Sequence, residues 1–361
     1  MTTQTVAPAR PSTRFREPGD TTAPAPPEYR GLERGEVRLL VATPEQLTHT
    51  RFPRLPEHLR AGDLVVVNTS ATVPGEIDGH SSRHGPIVLH VATPLPEGSW
   101  VVELRTSPDA ARPVLDARAG DEIVAAGVVF TLEGGYPAEG SAPSGDGNRL
   151  WQAHPTPGRA EADVRAALDR FGRPISYGYL SRHYPLAAYQ PIFARHPGSA
   201  EMASAARPFT PELVVELVTR GVLLAPVTLH TGVSSQEAGE LPQPERFRVP
   251  AATADLVNHV RDRGGRVVAA GTTVTRALES AVGPDGLARP AQGWTERLVS
   301  VDDPPRVVDG LITGWHDPHA SHLLLVESIA GAALTQRAYD AAVAGGYLWH
   351  EFGDSALLLP R

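Results

Sequence analysis

The chain has 361 residues, 41% of them hydrophobic, enough for one large domain or two ordinary ones with a sizeable core. Its net charge is −8, it has no cysteine, and all 33 basic residues are arginine. Disulfides, thiolate catalysis, cysteine-held metals, lysine Schiff bases and a phosphate-loop lysine are therefore excluded, and the acidic balance does not favour a nucleic-acid binder. No apolar run approaches the ~18–20 residues that span a bilayer. The amino terminus lacks the charged-then-apolar pattern of a signal peptide, so a cytoplasmic location is expected.

Residues 1–28 are rich in Pro, Ala and Thr with few large apolar side chains. They cannot bury enough surface to offset ordering entropy, and a disordered tail is expected. VRLLVA at 37–42 reads as a strand. RLPEHLRAGDLVVVN then predicts a short helix, a Gly-Asp turn and a buried strand at 64–67. Residues 73–158 hold the short runs PIVLHVAT, SWVVELR, DEIVAAGVVFTLEGG and RLWQAHP between turn residues, the mark of a small antiparallel barrel or sandwich, with EGSAPSGDGN (139–148) as a hairpin loop. From 159 onward helical patterns (AEADVRAALDRFG, PELVVELVTRG, TADLVNHVRDRGG, TRALESAV, QRAYDAAVAGG) alternate with strand-like VLLAPVTLH (222–230), RVVAAG (266–271) and SHLLLVES (321–328). The expected fold class is α/β: a discontinuous α/β domain, 29–72 plus 159–361, with a small antiparallel β-barrel inserted at 73–158.

Ligands of such sheets gather beyond the carboxyl ends of the strands. VTLHTG places Thr228, His230 and Thr231 at one such end. VVAAGTTVTRALES places Gly271, Thr272 and Thr273 at a second, ahead of a helix carrying Arg276 and Glu279. Glycine allows close backbone approach, and hydroxyls with free helix amides can hold a carboxylate or ribose; plain N-capping by threonine is the competing reading. At a third, LITGWHDPHASHLLLVES sets His316, His319 and His322 three apart around Asp317. Three-residue steps drift around a helix by ~60° each, and Pro318 disfavours a helix, so no metal site is expected. No dinucleotide, Walker or nucleophile-elbow motif is present.

Taken together, ERGEVRLLV, HLRAGDLVVVNTSATVPG, AYQPIFARHPGS, FTPELVVELVTRGVLLAPVTLHTG, GGRVVAAGTTVTRALES, RVVDGLITGWHDPHAS, LLLVESIAG and FGDSALLL resemble, in order and spacing, the S-adenosylmethionine:tRNA ribosyltransferase-isomerases of queuosine biosynthesis, from about residue 34 to 356. The resemblance implies an α/β domain interrupted by a β-barrel. It also implies transfer and isomerisation of the ribosyl part of S-adenosylmethionine onto a 7-aminomethyl-7-deazaguanine base in tRNA, with adenine and methionine leaving. His230, His316 and Asp309 match family positions and are the expected catalytic residues. Gly271, Thr272, Thr273, Arg276 and Glu279 match the segment expected to hold the methionine or ribose part. Asn68, Thr228, Thr231, Gly232 and Asp354, the last beside Gly353, complete the expected binding set.

The chain also departs from the family pattern. NTSATVPGE (68–76) has Ala71 and Glu76 where arginines belong, ASAARPF (203–209) has Pro208 in place of a histidine, and SSQ stands at 234–236. A later acidic motif keeps only Glu245, VDDPP replaces a Tyr-Pro-Gly segment, and Gly314, Trp315 and Glu327 are new. Lost arginines and Glu76 are expected to weaken a tRNA contact. Trp315 and Glu327 are expected to face the cationic sulfonium. Three readings stay open here: the tRNA ribosyltransferase-isomerase, an enzyme acting on S-adenosylmethionine or a related small molecule without tRNA (lyase, cyclase or small-acceptor transferase), and a non-catalytic nucleoside-binding protein.

Overall fold

Four strands, Leu223–His230, Leu64–Asn68, Val267–Ala270 and Gly310–Thr313, lie side by side in that order, all parallel, at the centre of a nine-stranded sheet. The computed structural model describes residues 11–16, 19, 21–138, 145–155, 160–180, 182–234, 240–318 and 320–360. Most of the expected hairpin loop at 139–148 lies outside these residues. Residues 64–67 and Val267–Ala270 are apolar throughout because both faces are covered. Leu64 and Val66 point into one core, Val65 and Val67 into the other. Helices Ala251–Asp262, Thr272–Ser280, His322–Ala330 and Ala332–Ala344 fill the first core, and Pro211–Thr219 packs on the second. Antiparallel strands Glu245–Val249 and Ala291–Thr295 extend one edge, and Ser355–Leu358, Arg38–Ala42 and Leu47–Arg51 extend the other.

Six strands between Glu76 and Pro155 close into an antiparallel barrel, as the turn-punctuated runs lead one to expect. Its core of Ile87, Leu89, Val102, Ile123 and Phe130 is joined by Val164 and Leu168 from the helix Glu161–Phe171. No helix among the described residues is long and apolar enough to cross a membrane.

Two expectations are corrected. SHLLLVES is not a strand but the first two turns of the helix His322–Ala330. Leu323, Leu324, Leu325, Val326 and Ile329 are all buried, so the helix is apolar on nearly every side and periodicity cannot distinguish it from a buried strand. The second concerns the tail. Within residues 1–28, the described stretches 11–16 and 21–28 pack on the body. Thr13 and Ala23 are each 1% exposed, and Phe15 stacks on Tyr339 with ring centroids 4.8 Å apart. Glu327 is the anchor: it accepts from the backbone N–H of Ser12 and Thr13 and from both hydroxyls. Burial opposes its ionisation, but those hydrogen bonds outweigh it and hold the Glu327 carboxyl below the usual range. We expect Glu327→Ala to orphan these donors at a cost of about 1–3 kcal/mol. Limited trypsin digestion should then cut after Arg14 and Arg16 at a protein concentration and time that leave the parent chain intact.

Candidate active site

A cavity of about 580 Å³ opens at the carboxyl ends of the parallel strands, a volume suited to a small-molecule ligand. Gly271 forms its floor. At φ 108° and ψ 159° it adopts a backbone conformation that side chains resist, and it turns the strand Val267–Ala270 sharply into the helix Thr272–Ser280. No side chain caps that helix, so Thr272 and Thr273 do not serve as N-caps, and both line the cavity. The uncapped first-turn amides are available to a carboxylate or hydroxyl.

Arg276, one turn further on and 6% exposed, also reaches the cavity. Its guanidinium is paired with Glu245 and donates to the carbonyls of Gln243 (2.9 Å) and Thr295 (3.3 Å). Burial pushes the Glu245 carboxyl up, with Arg276 and the Gly232 N–H (3.2 Å) opposing. Thr231 and Gly232, just past the strand Leu223–His230, line the same wall.

His316 enters from the turn after Gly310–Thr313, its Nε2 3.1 Å from the Thr313 hydroxyl. His322, which as part of a strand looked incidental, begins the following helix and lies flat against His316, centroids 4.5 Å apart and planes 4° from parallel. Both line the cavity. Burial holds both rings neutral: His322 falls to about 4, and His316 lies well below its ordinary value, lowered further by His322 and His350. His322 makes no side-chain hydrogen bond among the described residues. His319 lies outside the described residues. No group of three or more metal-ligating side chains occurs among them.

The other expected residues lie elsewhere. His230 is not among the lining side chains. Strand alternation turns Leu229 into the core and His230 the other way, onto Gly198, where even a Cβ would sit 2.6 Å from the ring. Its Nδ1 is 2.7 Å from the Ser70 hydroxyl, and burial, with Arg246, Arg165 and His196 nearby, lowers it to about 4. Thr228 bonds to Thr69 (2.9 Å), and Asn68 ties strand ends together through the Leu229 N–H and carbonyl, touching Thr273 at 3.4 Å. Asp309 precedes its strand, at the edge opposite the cavity, and accepts from the Val267 N–H at 3.0 Å. Glu279 accepts from the amides of Arg306, Val307 and Val308 at 2.8–3.0 Å. Asp354 holds Arg38 and the Leu348 N–H. Glu327 serves the amino-terminal segment. Trp315 borders the cavity and is 2% exposed within a box of Tyr339, Tyr347 and Trp349. Glu76 is fully buried against His90, Arg173 and Ser176 and cannot repel a nucleic-acid backbone as expected.

Among the lining residues that went unnoticed in the sequence are Tyr177, Tyr179, Glu201 and Glu351. They come from irregular segments with no periodic or motif signal.

The fold and this cavity define an α/β enzyme with an inserted β-barrel. The family model described as "Queuosine biosynthesis protein" matches residues 12–358. An S-adenosylmethionine:tRNA ribosyltransferase-isomerase of Gloeobacter violaceus is 34% identical over 335 residues, covering 91% of this chain and 90% of the relative. One of Anaeromyxobacter dehalogenans is 35% identical over 342 residues, covering 91% and 94%. The crystal structure of S-adenosylmethionine tRNA ribosyltransferase from Thermotoga maritima aligns with a TM-score of 0.52 at 25% identity, over 96% of this chain and 99% of that one. The chain belongs to the queuosine biosynthesis protein family, and it is an enzyme of the transferase/isomerase kind.

Proposed function

We propose that this protein uses S-adenosylmethionine as a substrate, transferring and isomerising its ribosyl part onto a 7-deazaguanine-type base in tRNA, in the cytoplasm. The observation that supports it most is the pairing of an uncapped helix amino terminus at Gly271–Thr273 with two neutral imidazoles in one cavity. The amides and hydroxyls of Thr272 and Thr273 suit the methionine carboxylate or ribose hydroxyls. A sulfonium acidifies the carbon beside it, and departing adenine needs a proton. A neutral histidine can take the first proton and supply the second. His316 and His322 are in contact, so they cannot both be charged at modest cost, and the pair carries one proton at a time. In this reading His230, Asp309, Glu279 and Asp354 are scaffold.

The test is incubation with labelled S-adenosylmethionine and tRNA bearing 7-aminomethyl-7-deazaguanine, following base modification and free adenine. No product at saturating substrates overturns the proposal. His316→Ala and His322→Asn should each lower kcat by about 10²–10⁴-fold, the usual worth of a general acid–base. The affinity for S-adenosylmethionine should change far less than kcat.

A further inference from the structure

The cavity's charges do not balance locally. Arg276 is matched by Glu245, and Arg105 by Glu103 at 2.6 Å. Glu201 and Glu351 have no such counterpart: neither forms an ion pair among the described residues. Glu201 is 9% exposed and receives only neutral donors, the Tyr177 hydroxyl, the Ser234 hydroxyl and the Ser234 N–H at 2.9 Å. Glu351 receives the Tyr179 hydroxyl on one oxygen, and its other oxygen has no hydrogen-bond partner among the described residues. The Arg105 guanidinium lies over the Tyr177 ring, 4.8 Å from its centre, rather than on Glu201. Burial and the neighbouring Glu351 both push the Glu201 carboxyl up, the signature of a negative charge awaiting a partner.

Beside the carboxylates runs a shelf of flat rings. Tyr179 stacks on His350 with centroids 4.9 Å apart and planes 17° from parallel, and Tyr177 follows at 6.3 Å. A ligand that answers both features has a flat ring and a cationic hydrogen-bond donor. A sulfonium has charge but no N–H to offer an oxygen, so an ammonium fits better.

We propose that Glu201 and Glu351 determine specificity by binding a protonated amine carried on a flat heteroaromatic ring, with the ring against the Tyr179–His350 stack. Identifying that ligand with the acceptor base rests on the function proposed above. The aminomethyl group of the acceptor is then read by charge, on residues distinct from those around Gly271.

Two free bases of opposite character test this: 7-aminomethyl-7-deazaguanine, a cation, and 7-cyano-7-deazaguanine, which is neutral, each titrated calorimetrically into the full chain. The wild type should prefer the cation by about tenfold or more, equivalent to about 1.4 kcal/mol. Glu201→Gln and Glu351→Gln should each erode the preference, and the double variant should abolish it, with affinity for S-adenosylmethionine unchanged. Thermal unfolding checks that the variants fold; Glu201→Gln should unfold no earlier than the wild type, because it removes an uncompensated buried charge. Equal binding of the two bases, no measurable binding of the cation, or a preference surviving in the double variant overturns the proposal. So does a loss confined to S-adenosylmethionine, which would place the methionine ammonium on these carboxylates. Charge preference without tRNA turnover would instead overturn the proposed function and leave the subsite standing, while turnover without charge preference would do the reverse.

Discussion

Arg276→Ala should destabilise the protein by about 3–5 kcal/mol, the cost of leaving a buried carboxylate without its cation. The residue left behind is Glu245, 9% exposed, whose remaining hydrogen bond is the Gly232 N–H at 3.2 Å. Carbonyls of Gln243, Thr295 and Arg297 lose their donor in the same step. The damage reaches the cavity from two sides, because Arg276 lies on the helix that starts at Gly271 and Glu245 positions Gly232. Affinity for S-adenosylmethionine should therefore fall together with stability. Arg276→Lys should not rescue it, since one ammonium cannot reach a carboxylate and three separate carbonyls as a planar fork does. Urea unfolding of Arg276→Ala, Glu245→Gln and the double variant provides the check. The double variant should be more stable than Arg276→Ala, because the orphaned charge is gone. A double variant that simply adds the two losses would mean that packing, not charge, sets the effect.

The large features of the fold are legible in the sequence for physical reasons. Runs such as LVVV (64–67) and VVAA (267–270) lie between two cores and need apolar residues at every position, so they stand out. The barrel strands are set off by turn residues. Gly271 was visible as a glycine ending a buried strand ahead of a helix, although N-capping by the threonines after it explained the same residues. What failed was legibility by spacing. His316 and His322 looked unable to converge on one helix, and they do not share one; a loop brings the first onto the start of a helix that the leucine run disguised as a strand. Asp309 and Glu279 fell on matching positions, but their carboxylates satisfy backbone amides, a use that a motif cannot distinguish from catalysis. Tyr177, Glu201 and Glu351 were invisible because they lie in irregular segments, Glu351 far along the chain from the other two, and only the tertiary fold brings them to one cavity.

In the barrel, Glu103→Gln should cost about 3–5 kcal/mol at pH 7, and the cost should shrink in acid. Glu103 is 0% exposed and holds Arg105 at 2.6 Å, Arg149 at 3.0 Å and His90 at 3.1 Å. His90, also fully buried, reaches Glu76 at 3.1 Å with its other nitrogen, so both ring nitrogens donate and the ring is an imidazolium. Burial alone would lower His90 and raise both carboxyls. The hydrogen bonds and opposite charges overcome it: His90 is raised, Glu76 falls to about 2, and Arg149 with His90 holds Glu103 far below the usual range. A carboxyl depressed by folding contributes stability that is complete above its unfolded value, near 4.5, and is lost as pH falls toward its folded one. Between pH 7 and pH 3 the wild type should forfeit about 2 kcal/mol through Glu103 alone, at 1.36 kcal/mol per unit below 4.5. Glutamine cannot titrate, so the variant should lose nothing through this position and the gap between the two proteins should narrow by that amount. Arg149 also donates to the Ser234 carbonyl at 2.9 Å, beside Glu201, so the variant should loosen the cavity wall as well as the barrel. Urea unfolding of both proteins at the two pH values decides it: a gap that stays constant would assign the loss to packing rather than to the carboxylate charge.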